Sequence, residues 1–299
     1  MRTAAVNNHF LIQRQDPCYP PHHTGDHLEE FFVKKWMETS GDLYDMSRCL
    51  IPIHWTAVYN HRVREGLGQG TPNGVLRDEL KSYLRSLDPS QKYFVVCTHD
   101  DAPAEDLPPD TLVFSAGGNS SRLDVSIPLT CGPHDGPGDY LRTIPMSFVG
   151  SMTHPIRHAM GRSLQGKHGV FLSAAEWTPE VPVDRADLFK QVTQRSIFSL
   201  CPRGYGATSY RLYEAMQLGS IPVYVSDKHL LPWSDEIDWS EFCVIVTPDD
   251  IQNIPQMTLG ITASKVRRMQ EALSDVWRRH FSIEATFDHI SKRVKEASL

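Results

Sequence analysis

The sequence predicts an α/β protein built from two layered domains. Short apolar strands alternate with amphipathic helices along most of the chain. The strands are continuous apolar runs, as in parallel sheets covered on both faces. The chain of 299 residues has room for two cores of about 150 residues each.

In the first half, His9–Gln13 (HFLIQ) is expected to form an opening strand, and Cys18–His27 a loop rich in proline and histidine. Leu28–Glu38 predicts a helix that buries Leu28, Phe31, Phe32 and Trp36. Arg48–Trp55 reads as a buried strand. Asn73–Leu87 reads as a helix with Val75, Leu80, Tyr83, Leu84 and Leu87 on its apolar side. Lys92–Asp101 (KYFVVCTHDD) is the clearest strand of this half, and it runs directly into His99, Asp100 and Asp101. Thr111–Ala116 and Ser126–Leu129 supply the remaining strands. Cys131–Tyr140 (CGPHDGPGDY) has the turn chemistry of a linker, so the domains are expected at 1–143 and 144–299.

The second half repeats the pattern more regularly. Strands are expected at Met146–Gly150, Gly169–Ala174, Ile197–Pro202, Ile221–Ser226 and Phe242–Val246. Helices are expected at Pro155–Leu164, Ala186–Arg195, Ser209–Leu218 and Thr262–His280, with a further segment running to the end. Two such domains facing across a cleft would bind a ligand at the C-terminal ends of their strands.

A formal charge of -6 with neutral histidines argues against indiscriminate affinity for nucleic acid and leaves room for a local basic cleft. Cys18, Cys49, Cys97, Cys131, Cys201 and Cys243 are scattered without a CxxC pair, and read as buried thiols. His22, His23, Asp26 and His27 fit no closed zinc spacing. No apolar run approaches the length of a membrane span, and the N-terminus is no signal peptide. The expectation is a cytoplasmic protein, or a Golgi-lumenal one if this is an excised catalytic domain.

The chemistry concentrates in Ser199–Val225, SLCPRGYGATSYRLYEAMQLGSIPVYV. A strand enters a glycine-containing loop with Arg203, Gly204 and Gly206, and a helix follows with Thr208 or Ser209 as its N-cap. Gly219 ends that helix. Loop amides, helix dipole and a guanidinium together suit a diphosphate. Packing through Leu212, Ala215, Met216 and Leu218 would leave Glu214 toward a rim, where its carboxylate matches the vicinal hydroxyls of a ribose. The same residues also read as a solvent-facing helix glutamate and an ordinary surface arginine. Neither GxxxxGK[ST] nor GxGxxG is present.

Arg195–Val246 resembles the donor-binding region of the exostosin-like glycosyltransferases. The matching elements are Phe198–Gly204, Ser209, Arg211, Glu214, Gly219–Val223, Leu231–Trp233 and Ile237–Trp239. Tyr93–Val96 with His99–Asp100 is similar to an upstream family segment, whose Asp-His pair is replaced here by Gln91-Lys92. MSFVG…IRHAM places Arg157 where the family has an arginine contacting the donor diphosphate. The chain's compactness resembles soluble members from large algal viruses, which build capsid glycans. The resemblance implies a GT-B fold of two Rossmann-like domains, a C-terminal helix crossing back, and inversion at the anomeric carbon. It implies a UDP-sugar donor, with UDP-xylose the first choice, and a glycan or glycoprotein acceptor.

Inversion needs a base for the acceptor hydroxyl and charge stabilisation for the leaving diphosphate. No Asp-x-Asp signature offers a metal, so no cofactor is expected, and Arg157, Arg203 and the helix N-terminus would supply the charge. Asp26, His99 and Asp100 are the candidates for the base, His54 also ends a strand, and each reads equally as a turn cap or loop residue. The non-enzyme alternative is an inactive nucleotide-sugar-binding or glycan-binding protein on the same fold.

Overall fold

The computed structural model describes residues 3–12, 20, 23, 25–39, 47–60 and 74–298. The chain forms two compact units, one of Met1–Gln15, Asp26–Ile127 and Ile283–Leu299, the other of Asp16–Gly25 and Pro128–Ser282. Each has a parallel sheet flanked by helices, the layering that the alternation of elements predicts.

The first unit begins with helix α1 (Leu28–Glu38), strand β1 (Arg48–Leu50) and helices α2 (Trp55–Asn60) and α3 (Gly74–Ser86). Strands β2 (Lys92–Cys97), β3 (Leu112–Ser115) and β4 (Val125–Ser126) complete a sheet of order β1-β2-β3-β4. Alternate residues of β2 face opposite layers, which is why a run of apolar residues suits it. Phe94 meets Trp36 of α1 at 4.9 Å between ring centroids. Val95 joins Trp55, Val58, Leu80 and Leu84 in a second buried cluster.

Two sequence expectations change here. The strand expected over Arg48–Trp55 stops at Leu50, because Pro52 has no N–H for the ladder, and Trp55 already begins α2. In place of a strand at His9–Gln13, Asn8–Phe10 forms a 3-10 turn whose N-cap Asn7 accepts from the His9 amide at 3.0 Å. Gln13 lies outside the described residues, as do Cys18 and His22.

In the second unit the chain runs β5 (Ile144–Ser151), α4 (Pro155–Leu164), β6 (Val170–Ala175) and α5 (Val183–Gln194). It continues through β7 (Ser196–Pro202), α6 (Tyr210–Gln217), β8 (Ile221–Val225) and β9 (Val244–Val246). The sheet order is β6-β5-β7-β8-β9, all parallel. Gly219, at φ +72, makes the left-handed turn that ends α6. Helices α7 (Ile254–Leu259) and α8 (Ala263–Val276) follow, and one π-helical turn over Trp277–Phe281 extends α8.

Phe281 packs inside this unit, 5.0 Å from Trp239 and 5.5 Å from Tyr213. The chain then enters α9 (Ile283–Glu296), which belongs to the first unit and packs Phe287 on Phe32 of α1 at 4.9 Å. The contacts therefore divide the chain at Gln15/Asp16, Gly25/Asp26, Ile127/Pro128 and Ser282/Ile283, where the sequence suggested one cut after residue 143. Residues 128–143 join the second unit because Arg142 donates to the carbonyls of Gln194 and Ser196, both at 2.8 Å. Cys49, Cys97, Cys131, Cys201 and Cys243 are buried.

Candidate functional site

In the second sheet β5 is followed by β6 on one side and β7 on the other. Loops leaving β5 and β7 therefore diverge, and an open parallel sheet holds its ligand in the crevice between such loops. Met152–His154 follows β5 and Arg203–Ser209 follows β7.

Arg157, in the first turn of α4, ties these two loops together. It is buried, and its Nη1 donates to the Ser151 carbonyl at 2.7 Å. Its Nε donates to the Arg203 carbonyl at 2.9 Å, while Nη2 reaches the Pro202 carbonyl at 3.3 Å and the Ser209 hydroxyl at 3.5 Å. Gly204 lets this happen, since a Cβ there would lie 3.1 Å from Arg157 Nη2 and 3.6 Å from Thr153 Oγ1.

Arg203 turns back on its own loop. Nε donates to the Gly206 carbonyl at 3.2 Å and Nη2 to the Tyr205 carbonyl at 3.1 Å. Nη1 meets Asp227 Oδ1 at 2.7 Å, in the loop after β8. Partial burial of Asp227 opposes ionisation, yet the hydrogen bond and charge of Arg203 hold its carboxyl below the usual range.

A third arginine, Arg211, sits on the first turn of α6. It is buried, with its guanidinium 4.5 Å from the Phe148 ring centroid and 5.4 Å from that of Phe189. Its Nη2 donates to the Val149 carbonyl and its Nε has no hydrogen-bond partner. Among the described residues no carboxylate pairs with it. Ser209 occupies the N-cap position of α6 without a side-chain cap bond, so its hydroxyl does not bind the first amides of the helix. Cationic side chains and a helix N-terminus without a side-chain cap bond thus meet at the diverging loops.

Glu214 is placed differently from the rim position expected. It is buried, and its Oε1 lies 3.4 Å from His134 Nε2. The His134 amide donates to Gln217 Oε1 at 2.7 Å, so the segment read as a linker folds over α6. Sequence reasoning missed His134, which is 80 positions from Glu214 and shares no local pattern with it. It also missed Asp227 and His154, the N-cap residue of α4.

The base candidates lie in the first unit. His99 follows β2, its ring 4.9 Å from Tyr59 and its Nδ1 accepting from the Asp101 amide at 3.1 Å. The Asp100 carbonyl accepts from the Asn119 amide at 3.0 Å. Asp26 is exposed before α1, 3.7 Å from Lys34 Nζ. His54 is buried with Nδ1 2.9 Å from the Ile12 carbonyl. Among the described residues no group of His, Cys, Asp and Glu is arranged to hold a metal ion, and no helix is long and apolar enough to cross a membrane.

The exostosin GT47 domain matches residues 99–259, more than half of the chain. The chain belongs to the exostosin GT47 family. The family match contains Arg157, Arg203, Arg211 and Glu214, as well as His99 and Asp100, and leaves Asp26 outside. A probable glycosyltransferase of Arabidopsis thaliana is 27% identical over 70% of this chain and 44% of its own length. The probable glucuronosyltransferase GUT1 of rice is 34% identical over 32% of this chain and 23% of its own. The probable beta-1,4-xylosyltransferase IRX10 of Arabidopsis thaliana is 33% identical over 32% and 23%. The chain thus spans less than half the length of these family relatives.

Proposed function

We propose that the protein moves a sugar from a nucleoside-diphosphate sugar to a glycan hydroxyl, with inversion and without a metal. The observation that carries this reading is the accumulation of Arg157, Arg203 and Arg211 around the loop after β7, with Arg211 buried and, among the described residues, lacking a carboxylate partner. A buried cation without a counterion is costly, and a diphosphate seated at the α6 N-terminus would offset that cost. In that seat the leaving diphosphate gains its charge beside fixed donors, which is where stabilisation accelerates transfer. A UDP-sugar is the proposed donor, with UDP-xylose first, in keeping with a relative named as a xylosyltransferase. Glu214, oriented by His134, is proposed to hold the ribose.

For the base, the proposal favours the carboxylates. With Nδ1 accepting from the Asp101 amide, neutral His99 carries its proton on Nε2 and has no lone pair left for an acceptor hydroxyl. Asp100, at the same strand end, takes first place and Asp26 second.

Calorimetric titration with a panel of UDP-sugars in EDTA, followed by transfer assays on the tightest, tests the reading. Saturable binding and EDTA-resistant turnover are expected. Arg203→Lys keeps the charge and loses the fork that spans Gly206, Tyr205 and Asp227, so kcat/KM should drop by about 10- to 100-fold. The reading is overturned if no nucleotide sugar saturates, or if R203K works as well as the parent.

A further inference from the structure

His154 closes the loop after β5 and caps α4. Its Nδ1 accepts from the Ile156 amide at 3.2 Å, and its carbonyl accepts from the Arg157 amide at 2.9 Å. A ring nitrogen that accepts a hydrogen bond carries no proton, so the proton of this imidazole is on Nε2. Nε2 lies on the other side of the ring from the nitrogen that faces the helix.

The surroundings keep the ring in that form. Burial comes first, and Arg203 and Arg157 add to it against the opposing charge of Asp227, so that His154 stays below the usual histidine range. These are the charged groups that act on the ring from α4, from the loop after β7 and from the loop after β8. Protonation would also place an N–H against the Ile156 N–H and break the cap. The neighbouring Thr153 lies against Gly204, on the loop that Arg157 and Arg203 shape.

Building on the proposed donor reading, we infer that His154 is a neutral hydrogen-bond donor to the diphosphate of the nucleotide sugar, Nδ1 capping α4 while Nε2–H faces the ligand. The arrangement supplies a fixed donor to the leaving group and requires no proton transfer. It also ties ligand recognition to the residue that starts the helix bearing Arg157.

The two nitrogens are separable by substitution. Asparagine is a preferred N-cap and puts an acceptor where Nδ1 is, but it is too short to replace Nε2–H. His154→Asn should keep the urea midpoint of the parent while its affinity for UDP-xylose, and its kcat/KM, fall by about 10- to 100-fold. His154→Ala should show the same fall and lose stability as well. Nitrogen-15 NMR of the parent at pH 7 should show His154 with Nε2 protonated and Nδ1 bare. An H154N protein with parental affinity and turnover overturns the inference, and so does an imidazolium or an Nδ1–H tautomer at that pH. The R203K arm separates the two readings. If R203K is impaired and H154N is not, the donor site stands and His154 is only a cap. If the parent binds neither UDP-xylose nor any other nucleotide sugar of the panel, both fall.

Discussion

Glu29 shows how one buried side chain fixes three elements. It lies on the first turn of α1, and its Oε2 accepts from the Thr56 amide of α2 at 2.8 Å. Its Oε1 accepts from the Thr56 hydroxyl at 2.9 Å, and from the Thr98 amide and hydroxyl, just past β2, at 2.6 and 3.0 Å. All of these partners are donors to a carboxylate. An amide in its place would turn an NH2 toward at least one of them. Glu29→Gln should therefore destabilise the first unit by about 2–3 kcal/mol, the scale of stranding a buried donor. Urea unfolding would show a lower midpoint at an unchanged slope. Coincident midpoints for E29Q and the parent would mean that these bonds carry little of the unit's stability.

At the scale of elements, the ends of β2 and β3 are pressed together. Gly117 follows β3, and a Cβ there would sit 2.3 Å from the His99 carbonyl oxygen and 2.4 Å from Asp100 Cα. Those are backbone atoms, so no side chain can swing aside. Gly117→Ala should cost about 1–3 kcal/mol and displace Asp100. If Asp100 is the base, G117A and D100N should both lose turnover while UDP-sugar binding persists. Full turnover in both would remove Asp100 from that role. Much of this layer was legible beforehand, because α1, α4 and β2 have strong apolar periodicity and clear starts, and their observed bounds follow it closely. The Arg203 loop was legible for the same reason, being one short stretch with its own glycine chemistry. Other features were not legible, because their causes lie far away in sequence. His134 on Glu214 spans 80 positions, and the inward turn of Arg203 depends on Asp227, 24 positions later. Local patterning also cannot show that His154 caps α4 through Nδ1.

For the molecule as a whole, the chain's order in sequence differs from its order in space. The first unit is built from both ends of the chain, since Ile283–Leu299 returns to it after the second unit is complete. The returning helix α9 buries Phe287, Ile290 and Val294, with Lys35 Nζ 4.4 Å above the Phe287 ring. Phe287 closes a cluster in which Phe32, Trp36 and Phe94 are all fully buried. Removing 283–299 would uncover that cluster, and burial of each large apolar side chain is worth about 1.5–3 kcal/mol. Such a loss is comparable to the whole stability of an ordinary domain. Hydrogen exchange on the 1–282 chain should therefore show β1–β3 losing protection while β5–β9 keep theirs, because Phe281 still packs on Tyr213 and Trp239 within the second unit. On the proposed donor reading, binding of a UDP-sugar to that chain should survive, and transfer should not. Unchanged protection in β2 after the deletion would show that α9 covers a core already closed without it.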